Sequence, residues 1–175
     1  MEISYRRPGV DEAEAFAALH VQCWRETYAD IVPAELMATF STATRLPLWQ
    51  HAVADRHRFI LGAYEAGRPV GFIMSGATEE KLIENQDGHI WALYIAAAQH
   101  KHGIGRHLVA QAAADWFSRG GTTMTVGVFA ENKPARAFYE KIGAEIVRQG
   151  TYRWDGHDLP DCIYFWHDLA KLAKL

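Results

Sequence analysis

Two glycines separated by one residue, Gly103 and Gly105, stand among four side chains that carry or take up positive charge, His100, Lys101, His102 and Arg106. Glycine lets a backbone turn tightly and bring its amides to bear on a ligand. Where such a turn opens a helix, the first-turn N–H groups lack intrahelical partners and the helix dipole adds positive potential. The chemistry this spacing supports is therefore anion binding, with phosphate as the natural guest. Two other chemistries fit the same residues less well. His89, His100, His102 and His107 read poorly as a metal cluster, because His100-x-His102 has no carboxylate or cysteine pair beside it; no metal is expected. A dinucleotide fingerprint needs a third glycine where Leu108 stands.

The elements that must position this turn lie on either side of it. His89 to Ile95 is rich in apolar, aromatic and β-branched residues and predicts a largely buried strand. Ile104, Leu108, Ala112 and Trp116 form an apolar stripe at helical spacing. Upstream, Ile3 to Arg6 predicts a first strand ended by Pro8-Gly9. Asp11 then caps a helix running to about Ala29, with Phe16, Leu19, Cys23 and Thr27 on one face. Ile31-Val32-Pro33 breaks that helix before helical regions at Ala34 to Phe40 and Thr42 to Ala54. Phe59 to Glu65 and Val70 to Ala77 predict a hairpin around Ala66-Gly67-Arg68-Pro69, and Thr78 to Gly88 a mobile connection. Downstream, Gly120-Gly121 stops the helix that opens at Gly103, and Met124 to Val128 predicts the next strand. Asn132 to Lys141 predicts a helix with Gly143 as its C-cap. Two final strands, Glu145 to Trp154 and Cys162 to Leu169, flank a loop of Asp155-Gly156-His157-Asp158-Leu159-Pro160. No repeat, low-complexity tract or linker divides this course, so the expectation is a single mixed α/β domain over residues 1–175.

Leu93-Tyr94-Ile95, a short spacer and His100-Lys101-His102-Gly103-Ile104-Gly105-Arg106 together resemble motif A of the GNAT superfamily of N-acetyltransferases, commonly Gln/Arg-x-x-Gly-x-Gly/Ala. The run from Val128 to Ala144 resembles motif B, with its strand, Asn132, and an Ala-x-x-Phe-Tyr helix (Ala135 to Tyr139) ending at Gly143. Two motifs in this order are far more specific than either alone. Motif A departs from the pattern in one place: His100 stands where Gln or Arg is expected.

The resemblance implies a GNAT-like fold: a central mixed, mostly antiparallel twisted sheet of about six or seven strands, flanked by helices, with a splayed parallel pair at its centre. It implies an acetyl-CoA-dependent N-acetyltransferase that moves an acetyl group to a primary amine of a small molecule, by direct attack in a ternary complex. The pyrophosphate would be held mostly by backbone N–H groups of residues 101–106, within the stretch His100, Lys101, His102, Gly103, Ile104, Gly105 and Arg106. Pantetheine would lie against Leu93, Tyr94 and Ile95, with the N–H near Ile95 polarising the thioester, and with Asn132, Ala135 and Phe138 beside it. Tyr139 matches the family's general acid; a phenol of pKa about 10 is protonated at neutral pH and would serve a thiolate of pKa about 8.5. Counting eleven residues back from His100, as for the glutamate base of histone-acetyltransferase members, gives His89. A histidine is suited to accept a proton near neutrality, although one at a strand start is also often a surface or hydrogen-bonded residue. Glu26, Tyr28, Asp155 and His157 are other candidate bases. Trp24, Tyr28 and Trp91 either line the acceptor pocket or pack against the sheet.

Composition bounds these readings. At 175 residues with 49% hydrophobic and 22% charged, the chain has enough material for one core. A net charge of −3 argues against a nucleic-acid or anionic-membrane partner. No apolar run approaches the roughly 20 residues that span a bilayer, and Met1 leads into Ile3-Ser4-Tyr5-Arg6 rather than a signal sequence, so a cytoplasmic location is expected. Cys23 and Cys162 are expected to be reduced core thiols. A protein or peptide amine as substrate, or a non-catalytic acyl-CoA sensor, are the alternatives, and pairing as a homodimer is an expectation of the resemblance alone.

Overall fold

The computed structural model describes residues 2–78 and 81–175. Seven strands form one sheet in the order β1-β2-β3-β4-β5-β7-β6, comprising β1 (Ile3–Arg6), β2 (Phe59–Glu65), β3 (Arg68–Ala77), β4 (Gly88–Ile95), β5 (Met124–Phe129), β6 (Glu145–Trp154) and β7 (His157–Trp166). The helices are α1 (Ala13–Tyr28), α2 (Ala34–Thr39), α3 (Thr42–Ala54), α4 (Ile104–Ser118), α5 (Lys133–Lys141) and α6 (Leu169–Leu172). β1 pairs antiparallel with β2, and β7 pairs antiparallel with both β5 and β6. β4 and β5 run parallel, in the register Gly88↔Met124, His89↔Thr125 and Ile90↔Val126, and both strands continue beyond those pairs. This is the mixed, mostly antiparallel sheet with a central parallel pair that the sequence implied.

The chain forms two compact units. The first, Met1–Met74 with Ala92–Leu108, is built on an aromatic core. Phe16 of α1 lies 4.9 Å from Trp49 of α3 and meets Tyr64 and Phe72 edge-on. Gly62 on β2 is required by this packing, since a Cβ there would run into the Phe16 ring. The predicted cap at Asp11 is corrected: a 3₁₀ turn, Val10–Glu12, precedes α1, and the carboxylate that satisfies the first amide is that of Glu12, which accepts from Gly9 N at 2.8 Å. Arg6 makes a two-pronged bond to the same carboxylate and holds it at a pKa of about 2. The β2–β3 connection is also tighter than predicted. Ala66 and Gly67 both have positive φ, +48° and +78°, so β3 begins at Arg68.

The second unit, Ser75–Trp91 with Val109–Leu175, carries β5, β7 and β6. Thr78 to Gly88 was expected as a mobile connection. Its residues 79–80 lie outside the described residues, but its end is tied down. Asp87 accepts from Trp116 Nε1 at 2.9 Å and from the backbone and hydroxyl groups of Thr122 and Thr123 at 2.7 to 3.1 Å. Burial raises its pKa, but these donors outweigh that and leave it at about 2. Gly88 and Gly121 leave room for the Trp116 indole, which a Cβ at either would strike. The predicted loop at Asp155 to Pro160 is corrected to a two-residue turn, Asp155-Gly156, with φ of +48° and +84°. Trp154 pairs with His157, so β7 starts there and ends at Trp166, short of the predicted Leu169. Asp-Gly with both residues left-handed matches the twist of a hairpin, which is why pairing resumes at once. Cys23 and Cys162 are buried free thiols, and burial pushes Cys23 up to about 12.

Candidate active site

In the first unit the turn after β4 is anchored from the strand outward. Gly71 on β3 lets the backbones close, since a Cβ there would lie 3.1 Å from the Tyr94 carbonyl, and Ala96 N–H donates to Val70 O at 2.9 Å. Glu26 of α1 accepts from Ala97 N at 2.9 Å with one carboxylate oxygen and from Gln22 Nε2 at 2.9 Å with the other. Gln99 is buried and donates to Glu65 at 2.9 Å. His100 folds back so that its Nε2 lies 2.8 Å from the Ile95 carbonyl; a carbonyl only accepts, so this nitrogen carries the proton.

These bonds hand the chain to a turn in which Lys101 and Gly103 are both left-handed, with φ of +66° and +80°. That conformation is free for glycine and costs another residue about 1 kcal/mol, so Lys101 is held there by its surroundings. The first bond of α4 runs from His107 N–H to Gly103 O at 3.0 Å, and the amides ahead of it precede any intrahelical acceptor. Lys101, His102 and Gly103 are exposed, whereas Ile104 and Leu108 are buried and fix the helix behind them. His107 packs on the Tyr5 ring at 4.0 Å rather than joining the other histidines. Among the described residues no group of three or more His, Cys, Asp or Glu is placed to hold a metal ion.

Leu93, Tyr94 and Ile95 occupy the half of β4 that leads into this turn. The Tyr94 ring joins a cluster with His20 at 5.1 Å and Phe72 at 5.7 Å, and its hydroxyl is 3.4 Å from that of Tyr28. Trp24 stacks on Phe40 at 4.1 Å with planes 8° apart, and meets Tyr28 edge-on. Trp24, Tyr28, Phe40, His20 and Tyr94 thus make one aromatic wall. His20 was not singled out from sequence, although a histidine between Leu19 and Cys23 on the apolar face of α1 was the available signal. Burial, followed by repulsion from Arg45, holds it neutral down to about pH 3.

In the second unit His89 Nδ1 lies 2.7 Å from Thr125 Oγ1, and burial pulls its pKa down to about 4. The Trp91 ring sits 6.4 Å away on the same strand and is 40% exposed. Asn132 caps α5, its Oδ1 accepting from Ala135 N at 3.2 Å. Tyr139 is 6% exposed, with its ring against Phe138, Tyr164 and the edge of Trp166. Gly143, at φ +87°, ends the helix with the paired bonds Gly143 N to Glu140 O and Ala144 N to Tyr139 O, both 3.0 Å. A network absent from the sequence reading fixes α5 to β7: Arg136 Nε donates to the Tyr164 hydroxyl at 3.2 Å, which donates to Glu140 at 2.5 Å. Asp155 and His157, the late-loop candidates for a base, are hairpin residues, and both oxygens of Glu26 are already engaged.

Comparison with known proteins bears on the fold and the family. The chain is 26% identical over 177 residues to "Uncharacterized N-acetyltransferase YuaI" of Bacillus subtilis (strain 168), covering 99% of this chain and 98% of that protein. Its fold is similar to the crystal structure of the PaiA N-acetyltransferase from Thermoplasma acidophilum in complex with coenzyme A, at 22% identity and a TM-score of 0.71, over 94% of this chain and 98% of that one. It is also similar to yncA from Salmonella typhimurium with acetyl-CoA, at 16% identity and a TM-score of 0.72, over 95% and 94% of the two chains. The model of the acetyltransferase (GNAT) family matches residues 14–144, a span that holds the turn at Gly103 and runs to the end of the Gly143 cap. The chain belongs to the acetyltransferase (GNAT) family.

Proposed function

We propose that this acetyltransferase uses acetyl-CoA to acetylate a primary amine of a small molecule by direct attack in a ternary complex. The observation that carries the reading is the exposed turn at Lys101 to Gly103, left-handed at two residues and set before the buried start of α4. Its backbone amides suit a pyrophosphate, and with His100 turned back onto Ile95 the grip falls to those amides, with Lys101, His102 and Arg106 adding charge. The coenzyme-bound relatives from Thermoplasma acidophilum and Salmonella typhimurium support the choice of acetyl-CoA.

Acetyl-CoA supplies a thioester whose carbonyl carbon takes the amine and whose sulfur leaves. In this reading Leu93, Tyr94 and Ile95 orient the pantetheine arm, and Asn132, Ala135 and Phe138 are coenzyme-binding residues. His89 takes the proton released as the C–N bond forms; burial, which pulls its pKa down to about 4, keeps it neutral and free to accept but makes it a weaker base than an exposed histidine. The Tyr139 hydroxyl gives a proton to the departing thiolate. Trp24, Tyr28 and Trp91 contact the acceptor.

Thermal unfolding with acetyl-CoA, and with NAD as the control, tests the first step. Ligand at about 100 times its dissociation constant stabilises the fold by about 2.7 kcal/mol, a clear shift. Thiol release across a panel of small amines and peptides then tests the acceptor. No shift with acetyl-CoA at saturation would overturn the proposal, and turnover confined to peptides would overturn the acceptor class.

A further inference from the structure

His89 is placed by a buried hydrogen-bond chain whose directions can be deduced from donor and acceptor counts. Leu82 N–H, which can only donate, meets Gln86 Oε1 at 2.8 Å, so the amide oxygen of Gln86 faces Leu82 and its nitrogen faces the other way. That nitrogen donates to Thr78 Oγ1 at 3.1 Å and to Thr125 Oγ1 at 2.7 Å. Among the described residues Thr125 Oγ1 has three hydrogen-bond neighbours: Gln86 Nε2, the Gly88 carbonyl at 3.3 Å and His89 Nδ1 at 2.7 Å. Gln86 and Thr125 are 1% and 0% exposed, so water does not compete.

The Thr125 hydroxyl has one proton and two lone pairs. One lone pair takes the Gln86 N–H. If the hydroxyl proton goes to Gly88 O, the second lone pair is open to a proton on His89 Nδ1, and all three contacts are hydrogen bonds. If the hydroxyl proton goes to His89 Nδ1 instead, two bare oxygens are left facing each other at the Gly88 carbonyl. Buried polar groups settle in the arrangement that satisfies the most partners.

We infer that Thr125, itself fixed by Gln86 and Gly88, is a positioning residue that locks His89 in the Nδ1–H tautomer and leaves the Nε2 lone pair open to accept a proton. Among the described residues Nε2 makes no hydrogen bond. Protonation at Nε2 needs no rearrangement, because Nδ1 keeps its proton and its bond to Thr125. The inference deepens the assignment of His89 as the base and rests on it only for its consequence in turnover.

The test is imidazole ¹⁵N NMR on the full-length protein, with the His89 signal assigned by its loss in His89→Gln. The expected result is a protonated Nδ1 and a bare Nε2 in the wild type. In Thr125→Val the ring is expected to shift toward the Nε2–H form and kcat to fall about tenfold or more, with KM for acetyl-CoA unchanged. Thr125→Ser should restore both. A wild-type ring already in the Nε2–H form overturns the lock without recourse to any variant, and so does a Thr125→Val ring that stays Nδ1–H. If His89→Gln turns over normally while the wild-type ring is Nδ1–H and Thr125→Val releases it, the lock stands and the base assignment falls.

Discussion

The imidazole of His100 donates from Nε2 to the carbonyl of Ile95 across 2.8 Å, so this side chain closes the end of β4 instead of reaching forward over the turn. His100→Ala should therefore leave the dissociation constant of acetyl-CoA within about threefold, while lowering stability by about 1 kcal/mol for the lost bond. Isothermal calorimetry beside a denaturant titration separates the two. A loss of binding well beyond tenfold would mean that the imidazole itself holds phosphate.

Gly103 and Gly67 make a matched pair, with φ of +80° and +78° and open space where a Cβ would go. Alanine at either should cost about 1 kcal/mol of stability from the left-handed backbone alone. Only Gly103→Ala should also weaken acetyl-CoA binding, because the strain there relaxes by moving the amides. Equal binding losses in both variants would remove the turn from the site.

Tyr139→Phe keeps the ring against Tyr164 and Trp166 and removes only the hydroxyl. If that hydroxyl is the acid, kcat should fall by about a hundredfold with acetyl-CoA affinity unchanged. A Phe variant with full turnover but lowered melting temperature would reduce Tyr139 to packing.

His20 titrates near 6.5 when exposed, but in the fold burial, with Arg45 nearby, holds it to about 3. Between those values the unfolded chain binds more protons. The stability contributed by neutral His20 is complete above pH 6.5 and drains away as pH falls toward 3. His89, held to about 4, acts in the same direction. The melting temperature of His20→Phe should fall less steeply than that of the wild type between pH 6.5 and 4, and parallel curves would contradict this.

Asp87→Asn replaces an acceptor of five bonds with a group that also carries donors, in contact with Trp116, Thr122 and Thr123. A loss of about 2 kcal/mol in denaturant unfolding is expected. A change within experimental error would mean that the cluster is satisfied equally well without the charge.

Much of this molecule was legible in the amino-acid order. Ile3–Arg6, Thr42–Ala54, Phe59–Glu65 and Glu145–Trp154 fall where periodicity and breakers put them, because those signals act between near neighbours. The turn at Gly103 and the cap at Gly143 were readable for the same reason, a positive φ being a local demand that glycine meets. Local reading failed where a local signal was present but outweighed. Asp155 to Pro160 reads as a loop, whereas the turn is confined to Asp155-Gly156 and pairing with β6 draws His157 and Asp158 into a strand. Asp11 looked like a cap until Arg6 and Gly9 together selected Glu12.

The sequence by itself determined most element types, the turn at Gly103 and the family, since each is written in the spacing of a few residues along the chain. Only the tertiary structure decided which groups meet: Glu26 with the Ala97 amide, Gln86 and His89 with Thr125, Tyr164 with Arg136 and Glu140. Those partners lie 24 to 71 positions apart. Sheet register and helix packing bring them within 2.5 to 3.2 Å, and no pattern in the intervening residues specifies that distance.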